Sequence, residues 1–349
     1  MNIDEYISLN KIICPACKSS NLKGDGEMQE GKITCNDCGA EYSLRNDLGF
    51  LLNQDSSKVD IQEFWGELYK AAYSNHENIT DAEEFKKDLD ELEQLFVTKN
   101  HLAVNEMPIE NLTGKKVLEI GPGAGAHSSL FAYKGAKMTA VDITPDRAVS
   151  SSRKLKLLSD EKEHFVFNAD SESLPFEDNS FDIVYSNGVL HHTNDTEKAI
   201  SEVYRVLKPG GSAVIMLYAK HSYLYWVNLF LLKGLFLGYF FKGKNWLGAA
   251  TEWMSSEKQK VLNPITRAYS HRQLENIFHE FKELEIRKAG FNFDQIPIIG
   301  KVISKLVSKS TGYNESGYLV YDKAWRNDTK LELWLSKFIG FSNNIRAIK

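Results

Sequence analysis

The sequence predicts an α/β protein: a doubly wound parallel sheet with helices on both faces, preceded by a small cysteine-containing module. Three observations support this fold class. Apolar segments typical of strands alternate with helical segments between residues 115 and 217, a glycine-rich turn follows the first strand, and two Cys-x2-Cys pairs lie near the N-terminus. Because strands that alternate with helices form parallel sheets, we expect a ligand to bind at the carboxyl ends of the strands.

Length and composition restrict the class of protein further. A chain of 349 residues is long enough for two domains, or for one large domain with an appendage. Hydrophobic residues make up 42% and charged residues 26%, which excludes a disordered or collagen-like chain. The net charge of −5 lacks the basic footprint of a nucleic-acid-binding protein, so we do not expect a nucleic-acid partner. The N-terminal segment carries Asp4 and Glu5 without a long apolar run, and we therefore expect a cytoplasmic protein.

The first module along the chain contains all four cysteines. Cys14 and Cys17 form one pair, and Cys35 and Cys38 form a second pair after a gap of seventeen residues. Two such pairs complete a tetrahedral shell that suits Zn²⁺, and four thiolates leave no open position for a substrate. The sequence therefore predicts a structural zinc site within residues 1–55. The stretch from residue 8 to residue 53 resembles a Trm112-like zinc ribbon, which implies a structural or partner-binding role.

A helical segment over residues 56–110 leads into the main domain. Ile61, Phe64, Trp65 and Leu68 recur at helical spacing and form one apolar stripe. We expect this segment to cap the ligand site. Tyr73 and His76 also fall in this lead-in and can be considered as ligand contacts, although a structural role is more typical of such residues.

A glycine-rich turn marks the first strand of the sheet. Residues 115–120 are predicted as a buried strand, Gly121, Gly123 and Gly125 follow, and residues 126–134 are predicted as a helix. Glycines let the backbone approach a ligand closely, and the N-terminus of a helix attracts an anion. The turn fits a dinucleotide-binding pattern as well as the pattern E-x-G-x-G-x-G that begins at Glu119, so a nicotinamide-dependent dehydrogenase remains an alternative at this point.

The later segments complete the alternation. A second strand over residues 137–142 ends in Asp142, where a carboxylate can accept hydrogen bonds from both hydroxyls of a ribose. Further strands are predicted at 164–167, 181–185 and 212–217, with a helix at 196–207 before the last of them. These segments place the candidate ligand site at one edge of the sheet.

This order of segments resembles the class I S-adenosylmethionine-dependent methyltransferases, close to their ubiquinone/menaquinone-type branch. The matching pieces are "VLEIGPGAG", "AVDIT", "NADSESLPFEDNSFDIVYSNGVLHH" and "RVLKPGG". The resemblance implies a Rossmann-like sheet of seven strands and S-adenosylmethionine as the cofactor. It also implies that "LEIRKAGFNF" and "GYLVYDKAW" contribute the final two strands.

The resemblance further implies which residues bind the cofactor. They are Glu119, Gly121, Gly123, Gly125, Asp142, Ile143, Asp170 and Ser186. The first four would line the methionine moiety, the next two would contact the ribose and the adenine, Asp170 would face the adenine amino group, and Ser186 would lie near the methionine amino group through its backbone.

Two histidines are the candidates for acid–base catalysis. His191 and His192 follow the fourth strand, close to the point where a methyl group would be delivered. A histidine there can take a proton from a hydroxyl or an amine, because its ordinary pKa lies near neutrality. The alternative is that both rings only pack the loop.

Two apolar segments lie after the fifth strand. Residues 223–241 contain 15 apolar residues in 19, which is near the length of a membrane-spanning helix. We do not expect them to span a membrane, since both flanks belong to one domain. A hydrophobic pocket or cap for the acceptor, a contact with a membrane surface, and a homo-oligomer interface remain open. Residues 296–309 are predicted as a basic amphipathic helix that can lie on a membrane or pack on the domain.

These predictions combine into one organisation. We expect a zinc ribbon at 1–55, a helical lead-in at 56–110, a Rossmann-like methyltransferase domain at 111–325 with an apolar insertion at about 220–260, and a C-terminal helix and tail at 326–349. The leading hypothesis is methyl transfer from S-adenosylmethionine to a hydrophobic or amphipathic small-molecule acceptor. The alternatives are an RNA base methyltransferase and a cofactor-binding scaffold without catalysis.

Overall fold

The structure is a computed structural model that describes residues 2–52, 58–73, 79–158, 164–242, 245–255, 260–321 and 323–349. His76 and the side chain of Tyr73 lie outside the described residues. The strands are β1 Leu22–Gly26, β2 Glu30–Cys35, β3 Glu41–Arg45, β4 Leu48–Phe50, β5 Lys116–Ile120, β6 Lys137–Asp142, β7 Phe165–Asn168, β8 Phe181–Asn187, β9 Leu207–Tyr218, β10 Trp253–Ser255, β11 Lys260–Leu262, β12 Glu283–Ala289, β13 Tyr313–Asn314, β14 Trp325–Arg326 and β15 Ser342–Ile348.

Helices connect these strands and cover the sheet. The α-helices are α1 Ile3–Asn10, α2 Val59–Tyr73, α3 Ala82–Thr98, α4 Leu102–Asn105, α5 Ala126–Tyr133, α6 Pro145–Leu158, α7 Thr196–Val206, α8 Trp246–Thr251, α9 His271–Ile277, α10 Gly300–Thr311, α11 Tyr318–Tyr321 and α12 Lys330–Ile339. A π-helix spans Leu224–Phe236, and single 3₁₀ turns span Ile109–Asn111, Ser171–Ser173, Leu190–His192, Tyr239–Phe241, Phe293–Gln295 and Glu315–Gly317.

The centre of the molecule is a parallel sheet in the order β7-β6-β5-β8-β9. The predicted alternation of strands and helices between residues 115 and 217 is therefore confirmed. Successive residues of a strand face opposite sides, so Val184 joins one core cluster while Ile183 and Tyr185 join the other. Both faces of the sheet are buried, as parallel sheets require. The strand order reverses beside β5, and ligands bind at such a point in doubly wound folds.

The resemblance implied a sheet of seven strands. The sheet contains eleven, in the order β1-β2-β3-β4-β7-β6-β5-β8-β9-β15-β12, of which four belong to the cysteine module and seven to the chain that follows it. The junction is the parallel pairing of β4 with β7, in which Gly49 lies beside Phe167. Leu51 continues the junction, since its N–H donates to the carbonyl of Asn168 at 2.8 Å. The cysteine module is thus continuous with the main sheet.

The C-terminal edge also differs from the prediction. The "GYLVYDKAW" segment forms α11 and β14, which pairs only with β13, and it does not enter the main sheet. The strand that does enter is β15, within the segment predicted as a tail, and it lies antiparallel between β9 and β12. The sheet is therefore not complete at residue 325. The predicted C-terminal helix is present as α12.

The two lead-in helices have different neighbours. In α3 the buried residues Phe85, Leu89, Leu92 and Phe96 recur every three or four positions and join the core cluster on one face of the sheet. The side chain of Asp81 caps the N-terminus of this helix by accepting from two backbone N–H groups. Only α2 lies at the carboxyl edge of the parallel strands, where it covers the site described below.

The apolar insertion packs mainly on itself. Tyr225 and Leu229 of the π-helix form a small third core with Leu247 and Ala250 of α8 and with Phe341. No helix among the described residues is long and apolar enough to cross a membrane. The predicted helix within 296–309 is present as α10.

Candidate active site

Two adjoining cavities lie at the carboxyl ends of β5, β6 and β8. Their volumes, counted to the open mouths, are about 630 and 900 Å³. Both are lined by Trp65 of α2, by Gly121 and by Arg147, so they share a wall. The Trp65 carbonyl accepts from the Arg147 guanidinium at 3.3 Å, which ties α2 to α6 above this wall. We call the cavity of about 630 Å³ the first cavity and the cavity of about 900 Å³ the second cavity.

The glycine turn after β5 forms the floor between the cavities. Gly121 has φ of +72° and a β-carbon there would overlap the side chain of Val189, so the position excludes every other residue. Gly123 has φ of +57° with open space beside it, and it lines the second cavity. Gly125 packs against Ser151 of α6 and lines neither cavity. Two of the three predicted glycines thus reach the site.

Asp142 is the last residue of β6, and only one of its two carboxylate oxygens is hydrogen-bonded within the described part of the chain. Its Oδ1 accepts from the Thr144 N–H at 2.8 Å and from the Thr144 hydroxyl at 2.7 Å. Its Oδ2 is buried and has no hydrogen-bond partner among the described residues. Burial raises the pKa of this carboxyl group above its usual range. The unpaired oxygen lies in the lining of the first cavity, where it can accept a hydroxyl of a ligand.

Ile143 and Asp170 also line the first cavity, but Asp170 is already paired. One of its oxygens forms an ion pair with Lys58 at the start of α2, and the other accepts from the Glu172 N–H at 2.9 Å. Lys58 pairs with Glu172 as well, at 2.9 Å. This cluster fastens the start of α2 to the rim of the cavity. Asp170 would have to release Lys58 to face an adenine amino group.

Glu119 and Ser186 lie behind the cavities and line neither of them. Glu119 is buried and accepts from the Ser128 hydroxyl, and burial raises its pKa to about 8. The Ser186 hydroxyl donates to the Ile120 carbonyl at 3.0 Å. His127 comes between Glu119 and the second cavity, 3.7 Å from the Glu119 carboxylate, and burial lowers its pKa to about 4. Sequence reasoning did not select His127.

The two catalytic candidates occupy different environments. His191 is fully buried, its ring lies 3.8 Å from the ring of Tyr218, and it lines neither cavity. Burial lowers its pKa well below the usual range. An uncharged ring without access to a ligand supports the packing alternative for His191. His192 lines the first cavity and packs against Trp65, with 4.9 Å between ring centroids.

A carboxylate from the insertion completes the site, and sequence reasoning missed it. Glu252 follows α8 directly and lines the second cavity together with Tyr218. The Tyr218 hydroxyl donates to its Oε1 at 3.0 Å, and the Asn263 amide donates to its Oε2 at 2.5 Å. The His192 Nε2 lies 3.6 Å from the same Oε2. Three separate segments therefore meet at Glu252, which no local motif signals.

The two ring nitrogens of His192 have different neighbours. Nδ1 lies 2.9 Å from the carbonyl oxygen of Ile265, 3.2 Å from the amide nitrogen of Asn263 and 3.1 Å from the Thr266 hydroxyl. The carbonyl can only accept and the amide nitrogen can only donate, so these contacts are compatible with either tautomer. Nε2 is buried beside the carboxylate of Glu252.

The four cysteine sulfurs converge at one point of the N-terminal module. All four lie within 4.8 Å of one another, and the Cys14–Cys38 and Cys17–Cys35 separations are 3.6 Å. Tetrahedral zinc with Zn–S bonds of about 2.3 Å separates its sulfurs by about 3.8 Å. The Tyr42 hydroxyl lies 3.2 Å from the Cys14 sulfur and supports it from within the core. The cluster thus has the ligand number and spacing of a zinc site.

Comparison with known proteins identifies the class of the domain. Residues 118–215 match the family described as methyltransferase domain. The chain therefore carries a methyltransferase domain, and this prediction is confirmed. The matched segment contains the glycine turn, Asp142 and His192, whereas Trp65 and Glu252, which also line the cavities, lie outside it.

Individual relatives match parts of the chain and differ in what their names say they act on. The chain is 36% identical over 104 residues to the demethylmenaquinone methyltransferase of Clavibacter sepedonicus, covering 30% of this chain and 41% of that protein. It is 26% identical over 213 residues to the malonyl-[acyl-carrier protein] O-methyltransferase of Buchnera aphidicola, covering 61% and 81%. The chain spans 24 to 41% of the length of the first three curated relatives that it matches.

A similar solved structure is phosphoethanolamine N-methyltransferase 2 of Haemonchus contortus in complex with phosphomonomethylethanolamine and S-adenosylhomocysteine. The identity is 21% and the TM-score is 0.45, with 75% of this chain and 56% of that chain covered.

Proposed function

We propose that the protein transfers the methyl group of S-adenosylmethionine to a hydrophobic or amphipathic small-molecule acceptor. The observation that carries this proposal is the unpaired, buried Oδ2 of Asp142 beside the open glycine turn, within a methyltransferase domain. A nucleoside with two ribose hydroxyls supplies the donors that this oxygen lacks. The donor set therefore fits the cofactor that the resemblance implies.

The two cavities divide the binding between them. In the first, Asp142 would accept the ribose hydroxyls and Ile143 would contact the adenine. In the second, the backbone at Gly121 and Gly123 and the N-terminus of α5 would hold the carboxylate of the methionine moiety. When bound, the cofactor supplies a methyl group on a positively charged sulfur. Methyl transfer then depends on alignment and on a nucleophile, and α2 limits the access of water through Trp65.

Glu252 is our candidate for the group that receives the acceptor proton. Its carboxylate lines the second cavity, and the Tyr218 and Asn263 hydrogen bonds fix its orientation. His192 is a positioning residue beside it, because its buried Nε2 lies 3.6 Å from the Glu252 Oε2. His191 is not part of this proposal, since its ring does not reach a cavity.

The walls of the second cavity suit an amphipathic acceptor. Leu68, Met216, Leu319 and Val320 contribute apolar side chains to it, and Glu252 is the one acidic residue that lines it in the described part of the chain. Polar and apolar surface contribute equally to these walls, and a single placed carboxylate suits a molecule with an apolar part and one reactive polar group. Residues 223–241 line neither cavity, and the insertion contributes to the second cavity through Glu252.

We also propose that the four cysteines hold one structural Zn²⁺, supported by their number and spacing. The expected cytoplasmic location and a homo-oligomer remain predictions.

One transfer assay separates the proposed function from its alternatives. Purified protein is incubated with methyl-labelled S-adenosylmethionine and a cell extract divided into lipid-soluble, small polar, and RNA fractions. Label in the lipid-soluble fraction that survives ribonuclease supports the proposal. Label that ribonuclease releases indicates an RNA base methyltransferase. Cofactor binding without label in any fraction indicates a scaffold.

A further inference from the structure

The side of the molecule built by the insertion exposes most of the apolar surface. Of the 21 large apolar side chains that are exposed among the described residues, 14 lie in three segments: 224–241, 298–306 and 331–338. The most exposed include Ile298 at 97%, Phe241 at 90% and Phe236 at 76%. We call the exposed apolar side chains of these three segments, with the lysines among them, the basic apolar face.

The three segments adjoin one another because they share a neighbour, the turn Phe293–Gln295. The Asn228 amide of the π-helix donates to the carbonyl of Gln295 at 2.6 Å. The Phe293 N–H donates to the carboxylate of Glu332 in α12 at 2.8 Å. A β-carbon on Gly300 would overlap the carbonyl of Phe293, so α10 lies directly on this turn. The exposed side chains of all three segments therefore belong to one region of the surface.

Within α10 the apolar and charged positions are segregated. Gly300 and Ser304 are buried, whereas Val302 and Leu306 are exposed on the side of the helix away from them. At about 100° per residue, Lys301, Lys305 and Lys309 fall along one flank of this exposed apolar stripe. Lipid-exposed surface helices show this arrangement, with apolar side chains directed into the bilayer and lysines at the level of the headgroups.

The charge of this region opposes that of the whole protein. Segments 224–241, 298–309 and 330–338 contain six lysines and one acidic residue, although the chain has a net charge of −5. That acid, Glu332, is buried and paired with Arg326, and the turn that the segments share adds the exposed Asp294. A symmetric contact between two copies would bring these lysines against each other. An anionic surface complements them instead.

We propose that the basic apolar face binds the surface of a bilayer that contains anionic lipids. The contact serves the proposed function, and this part of the inference rests on that function. α8 packs on the π-helix, and the Lys233 ammonium donates to the Ala250 carbonyl at 2.5 Å. The chain then leads from α8 directly into Glu252. The lipid surface thus lies against the segment that carries the candidate proton acceptor, and a hydrophobic acceptor reaches the second cavity from the bilayer.

Vesicle flotation of the full chain tests the contact without any acceptor. The probes are vesicles of phosphatidylcholine alone and vesicles that contain 30 mol% (about a third) phosphatidylglycerol. We expect binding to the anionic vesicles that weakens as salt rises. Lys301→Gln with Lys305→Gln and Lys309→Gln should reduce binding on the order of 100-fold, at roughly fivefold per lysine. Phe236→Ser with Phe241→Ser and Leu306→Ser should reduce it on both vesicle types.

Matched control variants distinguish binding through this face from nonspecific binding of vesicles by other parts of the surface. Lys23→Gln, Lys87→Gln and Lys137→Gln remove three exposed lysines elsewhere, and Leu9→Ser with Val97→Ser remove two exposed apolar groups elsewhere. Both control variants should bind vesicles as the parent does. The proposal is overturned if all variants bind vesicles equally or if the parent does not bind them. It is also overturned if the parent forms a concentration-dependent dimer that does not bind vesicles and that the Phe236→Ser set dissociates. Calorimetry with S-adenosylmethionine on the same variants reports separately on the proposed function.

Discussion

At the scale of single residues, we expect cofactor binding to depend most directly on Asp142, through its unpaired Oδ2. Asp142→Ala removes the acceptor for the ribose hydroxyls, at a cost on the order of 1.5–3 kcal/mol, or roughly 10- to 150-fold in affinity. Calorimetric titration with S-adenosylmethionine measures the loss. Asp25→Ala, an exposed carboxylate on β1, serves as the control. An unchanged affinity would contradict the ribose assignment, and tighter binding of NAD would overturn the cofactor class.

Glu252 provides a test of the chemical step. Glu252→Gln preserves the shape and an acceptor for the Tyr218 hydroxyl but cannot take up a proton. We expect transfer to the labelled acceptor fraction to fall roughly 10²- to 10⁴-fold while cofactor affinity stays within about twofold. Glu280→Gln, exposed on the surface, is the control, and parent-like rates in Glu252→Gln would sink the assignment.

The buried carboxyl of Glu119 makes stability depend on pH. Its pKa is raised from 4.5 to about 8 in the folded protein, so the folded chain keeps a proton that the unfolded chain releases between these values. The associated stability is complete below pH 4.5 and is lost as pH rises through 8. Glu119→Gln imitates the protonated group. Between pH 5 and pH 8 the free energy of unfolding of this variant should fall less than that of the parent protein, with a difference on the order of 3 kcal/mol. Denaturant titrations at several pH values measure the free energy of unfolding, with Glu27→Gln as the control. If the free energies of Glu119→Gln and of the parent fall in parallel with pH, the assignment is wrong.

At this scale the sequence predicted what local backbone geometry determines. Gly121 and Asp142 lie in one strand–turn–helix unit, so their motif places them correctly. Glu252 could not be found this way, because its site forms only when the chain returns over 34 residues to Tyr218. Asp170 was selected by its motif, but its ion pair with Lys58 is a tertiary contact that no motif encodes.

At the scale of elements, the insertion contains two kinds of aromatic residue that the sequence does not distinguish. Phe240 packs 4.8 Å from the ring of Trp246 and 5.1 Å from that of Phe230, whereas Phe236 is 76% exposed. Phe240→Ser should lower the free energy of unfolding by about 2 kcal/mol, since it empties a half-buried site. Phe236→Ser should change it by no more than about 0.5 kcal/mol. Chemical denaturation of this matched pair measures both, and equal losses would show that the packing is wrongly assigned.

The strands of the parallel core were predictable because each is a short run of apolar residues buried on both faces. β15 was not predictable in the same way. Its sequence, SNNIRAI, carries Asn343 and Asn344, which are depleted in strands, and yet both are buried. The Asn343 amide nitrogen donates to the Tyr269 carbonyl at 3.2 Å, so a tertiary contact that the local sequence does not encode pairs the donor of this buried side chain.

At the scale of the whole molecule, the continuous sheet couples the cysteine module to the catalytic domain. Cys14 and Cys35 belong to the same core cluster as Phe167 of β7, and β7 ends two residues before Asp170 at the first cavity. We expect about one zinc per chain by metal analysis. Cys35→Ser or chelation should lower stability by at least about 3 kcal/mol and weaken S-adenosylmethionine binding as a secondary effect.

Thermal unfolding and calorimetry with and without chelator check both effects, and Lys23→Gln on β1 serves as the control variant. Protein purified without chelators that contains no zinc would refute the metal assignment. Loss of zinc without a change in melting temperature would show that the module folds without its metal.

The position of β15 has a consequence for biosynthesis. The strand lies between β9 and β12, so those two strands cannot be joined until residues 342–348 have left the ribosome. The nascent chain must therefore hold an open sheet edge until the last strand arrives, and open strand edges are prone to aggregation. A premature stop codon after residue 341 would remove an interior strand from the sheet and expose two edges at once.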